Sequence, residues 1–177
     1  CKDCPQDFFH MQIASTTFQD CLRCPKGKIT AYEGASACVE CPPGKIKGFT
    51  IGLCEPCPRG RYRASGQTSC NPCPVGKYGL MEGYTSEDDC HNCPAGRYGV
   101  LPSPYQNHSS EQDSCMFCPP GRISYSGSSS KSECFDCMLG KTSVRGEGSC
   151  QACHAGKYTK VPGASCELCP VGKINRV

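Results

Sequence analysis

Apolar residues are spread thinly and evenly along the chain, and the most regular of them sit in a repeated dipeptide. Lys or Arg is followed by Ile or Tyr at Lys28-Ile29, Lys45-Ile46, Arg61-Tyr62, Lys77-Tyr78, Arg97-Tyr98, Arg122-Ile123, Lys157-Tyr158 and Lys173-Ile174, and by Thr only at Lys141-Thr142. Each dipeptide reads as a short extended segment. A Gly precedes every one, and the motif before it is most often Cys-Pro-x-Gly, as in Cys24-Pro25-Lys26-Gly27. Pro fixes φ and suits the first corner of a turn, and the Gly supplies positive φ, so this is a tight turn. A second Gly stands before the next cysteines in several places, as in Gly66-Gln67-Thr68-Ser69-Cys70 and Gly163-Ala164-Ser165-Cys166. It marks a turn that brings the chain back. The predicted elements are small β-hairpin-like loops with little helix. None could stand alone, because each buries too little apolar area.

Composition says what holds such loops. Leu, Ile, Val and Phe together number 25 of 177 residues, there is no Trp, and 20 residues are Cys. A cysteine share of about 11% marks a disulfide scaffold. A cytosol would keep these thiols reduced, so the chain points to an oxidising, extracellular setting, secreted or at a cell surface. The net charge is only +3, too modest to suggest nucleic acid as a partner. No apolar run approaches a membrane span, and no signal peptide is visible.

Every cysteine falls in a C-x-x-C pair. The pairs begin at Cys1, Cys21, Cys38, Cys54, Cys70, Cys90, Cys115, Cys134, Cys150 and Cys166, which divides residues 1–177 into tandem units of 16 to 25 residues. Such self-similarity implies an array rather than a globule. The first unit has Asp7 where the others have Gly, and the chain closes on Cys169-Pro170-Val171-Gly172-Lys173, the start of a unit. The expectation is that the array continues beyond both ends.

Connectivity is not fixed by spacing alone. One scheme joins the second Cys of each pair to the first of the next: Cys4–Cys21, Cys24–Cys38, Cys41–Cys54, Cys57–Cys70, Cys73–Cys90, Cys93–Cys115, Cys118–Cys134, Cys137–Cys150 and Cys153–Cys166. It places every insertion inside one closed loop and leaves Cys1 and Cys169 over. The rival is a ladder between equivalent cysteines of adjacent pairs. Closing a loop of this size with a disulfide contributes roughly 3 kcal/mol in the chain-entropy model.

The string C-x-x-C-P-x-G-[KR]-[YI], followed by G-x-x-x-C-x-x-C, resembles the ephrin-receptor-like cysteine-rich repeat. It is also similar to the first module of tumour necrosis factor receptor cysteine-rich domains. The resemblance runs over nearly the whole chain. It implies an elongated, disulfide-linked rod in a secreted or surface protein.

Candidate chemistry is sparse. Paired C-x-x-C motifs also suit Zn2+ sites of four thiolates, although the turn chemistry favours disulfides and no metal or other cofactor is expected. No Ser/His/Asp, Cys/His or phosphate-loop constellation is present, so catalytic residues are not expected and the chain reads as a non-enzyme. Asn107-His108-Ser109 is an N-glycosylation sequon in the longest insertion. Ser126, Ser128, Ser129, Ser130 and Ser132 read as a flexible patch, and Glu87-Asp88-Asp89 as a solvated turn. The basic residues after the turn glycines could line up as a stripe for an acidic glycan; the plainer reading lays each stem over a disulfide with its head in water. The leading expectation is a structural module of an extracellular rod or filament, possible partners being copies of itself or neighbouring repeats. The alternative is a receptor or adhesion ectodomain that binds a protein ligand.

Overall fold

The computed structural model describes residues 2–11, 17–101 and 108–174. Its regular structure is a set of two-stranded antiparallel sheets, nine among the described residues, with strands of two or three residues. Helix is confined there to single turns at Phe18–Asp20, Glu87–Asp89, Glu111–Ser114 and Lys131–Glu133.

One register recurs. The basic–apolar dipeptide is the outgoing strand, and the returning strand is the pair of residues inside the next C-x-x-C. Thus Arg61 and Tyr62 face Pro72 and Asn71, and Lys157 and Tyr158 face Leu168 and Glu167. Each hairpin is entered through a turn closed by the amide after the glycine, as in Arg61 N–H to the Pro58 carbonyl at 3.1 Å. The second Cys of the next pair then donates to the turn glycine's carbonyl, as in Cys57 to Gly44 at 2.8 Å.

The turn differs from expectation in one respect. Its proline is the first residue, contributing a carbonyl, and is not the corner; the corner falls to Arg59 after Pro58, and to Lys26 after Pro25, where Lys28 N–H closes the turn on Pro25 at 3.1 Å. A first residue that need only offer a carbonyl can be anything, which explains Met138 and His154, the residues that stand where the other turns have Pro. Their carbonyls accept from Lys141 and Lys157, both at 3.0 Å. The first hairpin is also less divergent than its sequence suggests. Asp7 adopts φ 68 where the others place Gly, and Phe8 N–H closes the same turn on Pro5 at 3.1 Å. Asp is among the few residues that tolerate this left-handed region.

The chain is bonded Cys4–Cys21, Cys24–Cys38, Cys41–Cys54, Cys57–Cys70, Cys93–Cys115, Cys118–Cys134, Cys137–Cys150 and Cys153–Cys166. Cys73 and Cys90 are disulfide-bonded as well, and Cys169 is free. The shortest disulfide loops have a sequence separation of 13, against 17 for Cys4–Cys21 and 22 for Cys93–Cys115. The extra residues of the longer loops include the single helical turns, each set just before the loop's closing cysteine. A carboxylate caps three of them: Asp20 accepts from Thr17 N–H at 3.1 Å, Asp89 from Ser86 N–H at 3.0 Å, and Glu133 from Ser129 N–H at 3.2 Å; in the fourth the Ser110 hydroxyl accepts from Asp113 N–H at 3.2 Å.

Two compact units result. One comprises Cys1–Pro72 and Met81–Cys90, the other Cys73–Leu80 and His91–Val177. In the first, the buried apolar residues are Cys4, Cys24, Cys41 and Cys57 with Ile29, Ala35, Tyr84 and Cys90; in the second they are all cysteines. Sulfur thus does the work that aliphatic side chains do in ordinary cores.

Successive loops are locked by backbone hydrogen bonds. In the first unit Gly34 and Gly83 donate to the carbonyls of Cys4 and Cys57, both at 2.8 Å. In the second, Gly127, Gly146 and Gly163 donate to Cys93, Cys118 and Cys137 at 2.8, 3.3 and 2.9 Å. Each bond runs from the second glycine of one loop to the cysteine that opens the loop before it. The residue after the basic–apolar dipeptide adds a second lock. Ser124 and Ser143 are buried, and their hydroxyls donate to the carbonyls of Arg97 and Arg122 at 2.7 and 2.8 Å. Arg63 holds this position in one loop of the first unit, after Arg61-Tyr62. It is wholly buried and donates through Nη1 to the carbonyls of Cys41 and Pro42 at 3.0 and 3.1 Å.

Candidate functional site

The regular basic residues do not form a free stripe. Arg97 pairs with Glu111 at 2.7 Å, and Arg122 with its cross-strand neighbour Asp136 at 2.6 Å. Arg61 donates to the Cys70 carbonyl at 3.0 Å. These heads are engaged by protein groups, which departs from both readings of the sequence. Lys28, Lys45, Lys141 and Lys173 are exposed.

The acidic and serine clusters are ordered. The Asp89 carboxylate accepts from the amides of Thr85 and Ser86 at 2.7 and 3.0 Å, and these bonds, the Thr85 amide first, hold it below the usual carboxylate range. Glu133 is held low in the same way, by Ser129 above all. Ser126 donates to the Cys93 carbonyl at 3.2 Å, and Ser128 is buried. What reads as a flexible serine patch is a capped turn packed on the preceding loop, because the Ser129 and Ser130 hydroxyls donate to Glu133 and Ser126 reaches back to Cys93.

Of the sequon, Asn107 lies outside the described residues. His108 is 1% exposed and sits at φ 51. Burial depresses its pKa, and the nearby carbonyls of Cys73 and Lys77 offset part of the effect. No group of three or more His, Cys, Asp or Glu able to hold a metal ion occurs among the described residues. Among the described residues every cysteine but Cys169 is taken up in a disulfide.

The exposed surface is more distinctive. Met116, Phe117, Tyr125, Phe135, Met138 and Leu139 are all exposed and come from successive loops of the second unit. Tyr125 and Phe135 pack with ring centroids 5.7 Å apart. The Arg97 and Arg145 guanidinium carbons lie 4.2 and 5.1 Å from the centroid of the Phe117 ring. Beside Arg145 a groove of about 440 Å³ opens, lined by Pro120, Val144 and Ala152 and by Arg145, His154 and Lys157. Neither this groove nor the buried hydroxyl position was apparent from the sequence. The hydroxyls did carry a signal: Thr30, Ser124, Ser143 and Thr159 occupy one place in the repeat.

The fold and its staples define an extracellular-type, disulfide-rich module built from a cysteine-rich repeat. Within it, residues 44–90 match the family model described as tyrosine-protein kinase ephrin type A/B receptor-like. No curated protein matches the chain. No helix among the described residues is long and apolar enough to cross a membrane.

Proposed function

We propose that the chain is a structural module of an extracellular protein: tandem stapled loops, extended by adding units, that act as a stiff spacer in a rod or filament. One observation carries this reading. Gly34, Gly83, Gly127, Gly146 and Gly163 each donate an amide to the cysteine carbonyl that opens the loop before, and the Arg63 guanidinium reaches the Cys41 carbonyl, so these loops are fastened covalently to themselves and by hydrogen bonds to their predecessors. Repeats held only by their neighbours give length and stiffness without a large core. No catalytic role is part of this reading, and a glycan on Asn107 would add bulk to the longest loop. Electron microscopy of the native material tests it. Ordered fibres or stiff rods of constant width are expected, and isolated particles that assemble only with a ligand would overturn it.

A second reading has its own support. Interfaces concentrate Tyr, Phe, Met and Arg, and the exposed Met116, Phe117, Tyr125, Phe135 and Met138 on successive loops fit a face that binds a protein ligand.

A further inference from the structure

We propose that the groove beside Arg145 is a docking site for an acidic, apolar segment of a protein partner, with a carboxylate on Arg145 and an adjoining aliphatic side chain in the groove. The proposal goes beyond the spacer role and stands apart from it, because the groove is built by residues 120–166 alone. Three basic side chains, Arg145, His154 and Lys157, line it together with the apolar Pro120, Val144 and Ala152. Its only carboxylate among the described residues, Glu147, is turned to local use and accepts from Val144 N–H at 3.1 Å. Arg145 makes no ion pair among the described residues, unlike Arg97 and Arg122. Its guanidinium carbon lies 5.1 Å from the centroid of the Phe117 ring, a contact that consumes none of the N–H donors a carboxylate would use.

The same charges argue against a polyanion such as an acidic glycan. A polyanion needs a continuous row of free cations, and the row is broken where Glu111 and Asp136 neutralise Arg97 and Arg122. A short segment with one or two acids between aliphatic residues matches what remains: a local positive charge against an apolar lining.

The test uses the intact, oxidised chain labelled with 15N. The probes are a short synthetic peptide of alternating Leu and Glu, the same peptide with Gln for Glu, and a heparin oligosaccharide. The acidic peptide is expected to shift the amide signals of Val144, Arg145, Ala152 and Lys157. Arg145→Gln should weaken it about tenfold, the worth of one charge-assisted hydrogen bond. Lys141→Gln, an exposed change outside the groove, should leave affinity unchanged. Equal binding of the Gln peptide, binding of heparin alone, unchanged affinity in Arg145→Gln, or no shift at these amides would each overturn the proposal. None of these results bears on fibre formation, so the two readings fail separately.

Discussion

Gly121 and Gly163 meet backbone against backbone: a Cβ on Gly121 would overlap the carbonyl of Gly163, which belongs to the loop two further along the chain. Gly121 also holds φ +79, while Gly140, at φ +77, faces open space. The two glycines therefore separate the effect of backbone strain from that of close approach. Gly140→Ala should cost about 1 kcal/mol for the left-handed conformation alone. Gly121→Ala should cost at least about 3 kcal/mol, because the neighbouring loop must also move. Denaturant titration without reductant measures both, and equal costs would show that the loops do not touch there.

Ser143 extends the argument to side chains. Its buried hydroxyl holds the Arg122 carbonyl at 2.8 Å, whereas Ser149 is exposed. Ser143→Ala should destabilise by about 1 kcal/mol and leave an unmet carbonyl, with Ser149→Ala within about 0.5 kcal/mol of the parent. A Ser143→Ala variant with parental stability would remove the hydroxyl from the locking scheme.

These contacts show what could be read in the chain. The hairpin was legible because Pro, Gly, a basic residue and Tyr or Ile recur at constant offsets, each with a local conformational preference. The return strand was not, since residues such as Asn71-Pro72 and His91-Asn92 have no shared composition; their place is set by the cysteines on either side. The helical turns in the longer loops were hidden for a similar reason. Asp20, Asp89 and Glu133 look like surface charge until the amides they cap are known. The groove at Arg145 was invisible because it depends on contacts between hairpins, and only the engagement of Arg97 and Arg122 elsewhere makes Arg145 exceptional.

Replacing Cys137 and Cys150 together by Ala tests whether each staple acts on its own loop. The loop they close has a sequence separation of 13. Loss of about 3 kcal/mol is expected from restored chain entropy. Amide exchange should rise sharply in the hairpin of Lys141–Thr142 and Gln151–Ala152, while the hairpin of Arg97–Gly99 and Cys115–Phe117, separately stapled, keeps its protection. Uniform loss of protection across the second unit would mean that the loops fold as a single block.

His108 makes the second unit sensitive to acid. Its imidazole is buried, and desolvation outweighs the nearby Cys73 and Lys77 carbonyls, so the native state favours the neutral ring. The chain that faces it is the Cys73–Gly79 segment, whose Cys73 and Lys77 carbonyls lie near the ring and whose Gly79 N–H donates to the His108 carbonyl; the charged group it carries there is Lys77. The folded pKa lies below the ordinary 6.5, chiefly through desolvation. A depressed pKa contributes stability that is fully present above the unfolded value and is lost as pH falls through the folded one. Stability should therefore decline from about pH 6.5 downward, well above the range in which Asp89 and Glu133 begin to protonate. His108→Asn, which tolerates φ 51 and carries no titrating ring, should flatten this decline while leaving the carboxylate-linked loss at lower pH. Denaturant midpoints from pH 8 to pH 4, with the His108 ring titrated by NMR, measure both. A His108 that titrates at or above the free value would show that the ring is solvated or paired.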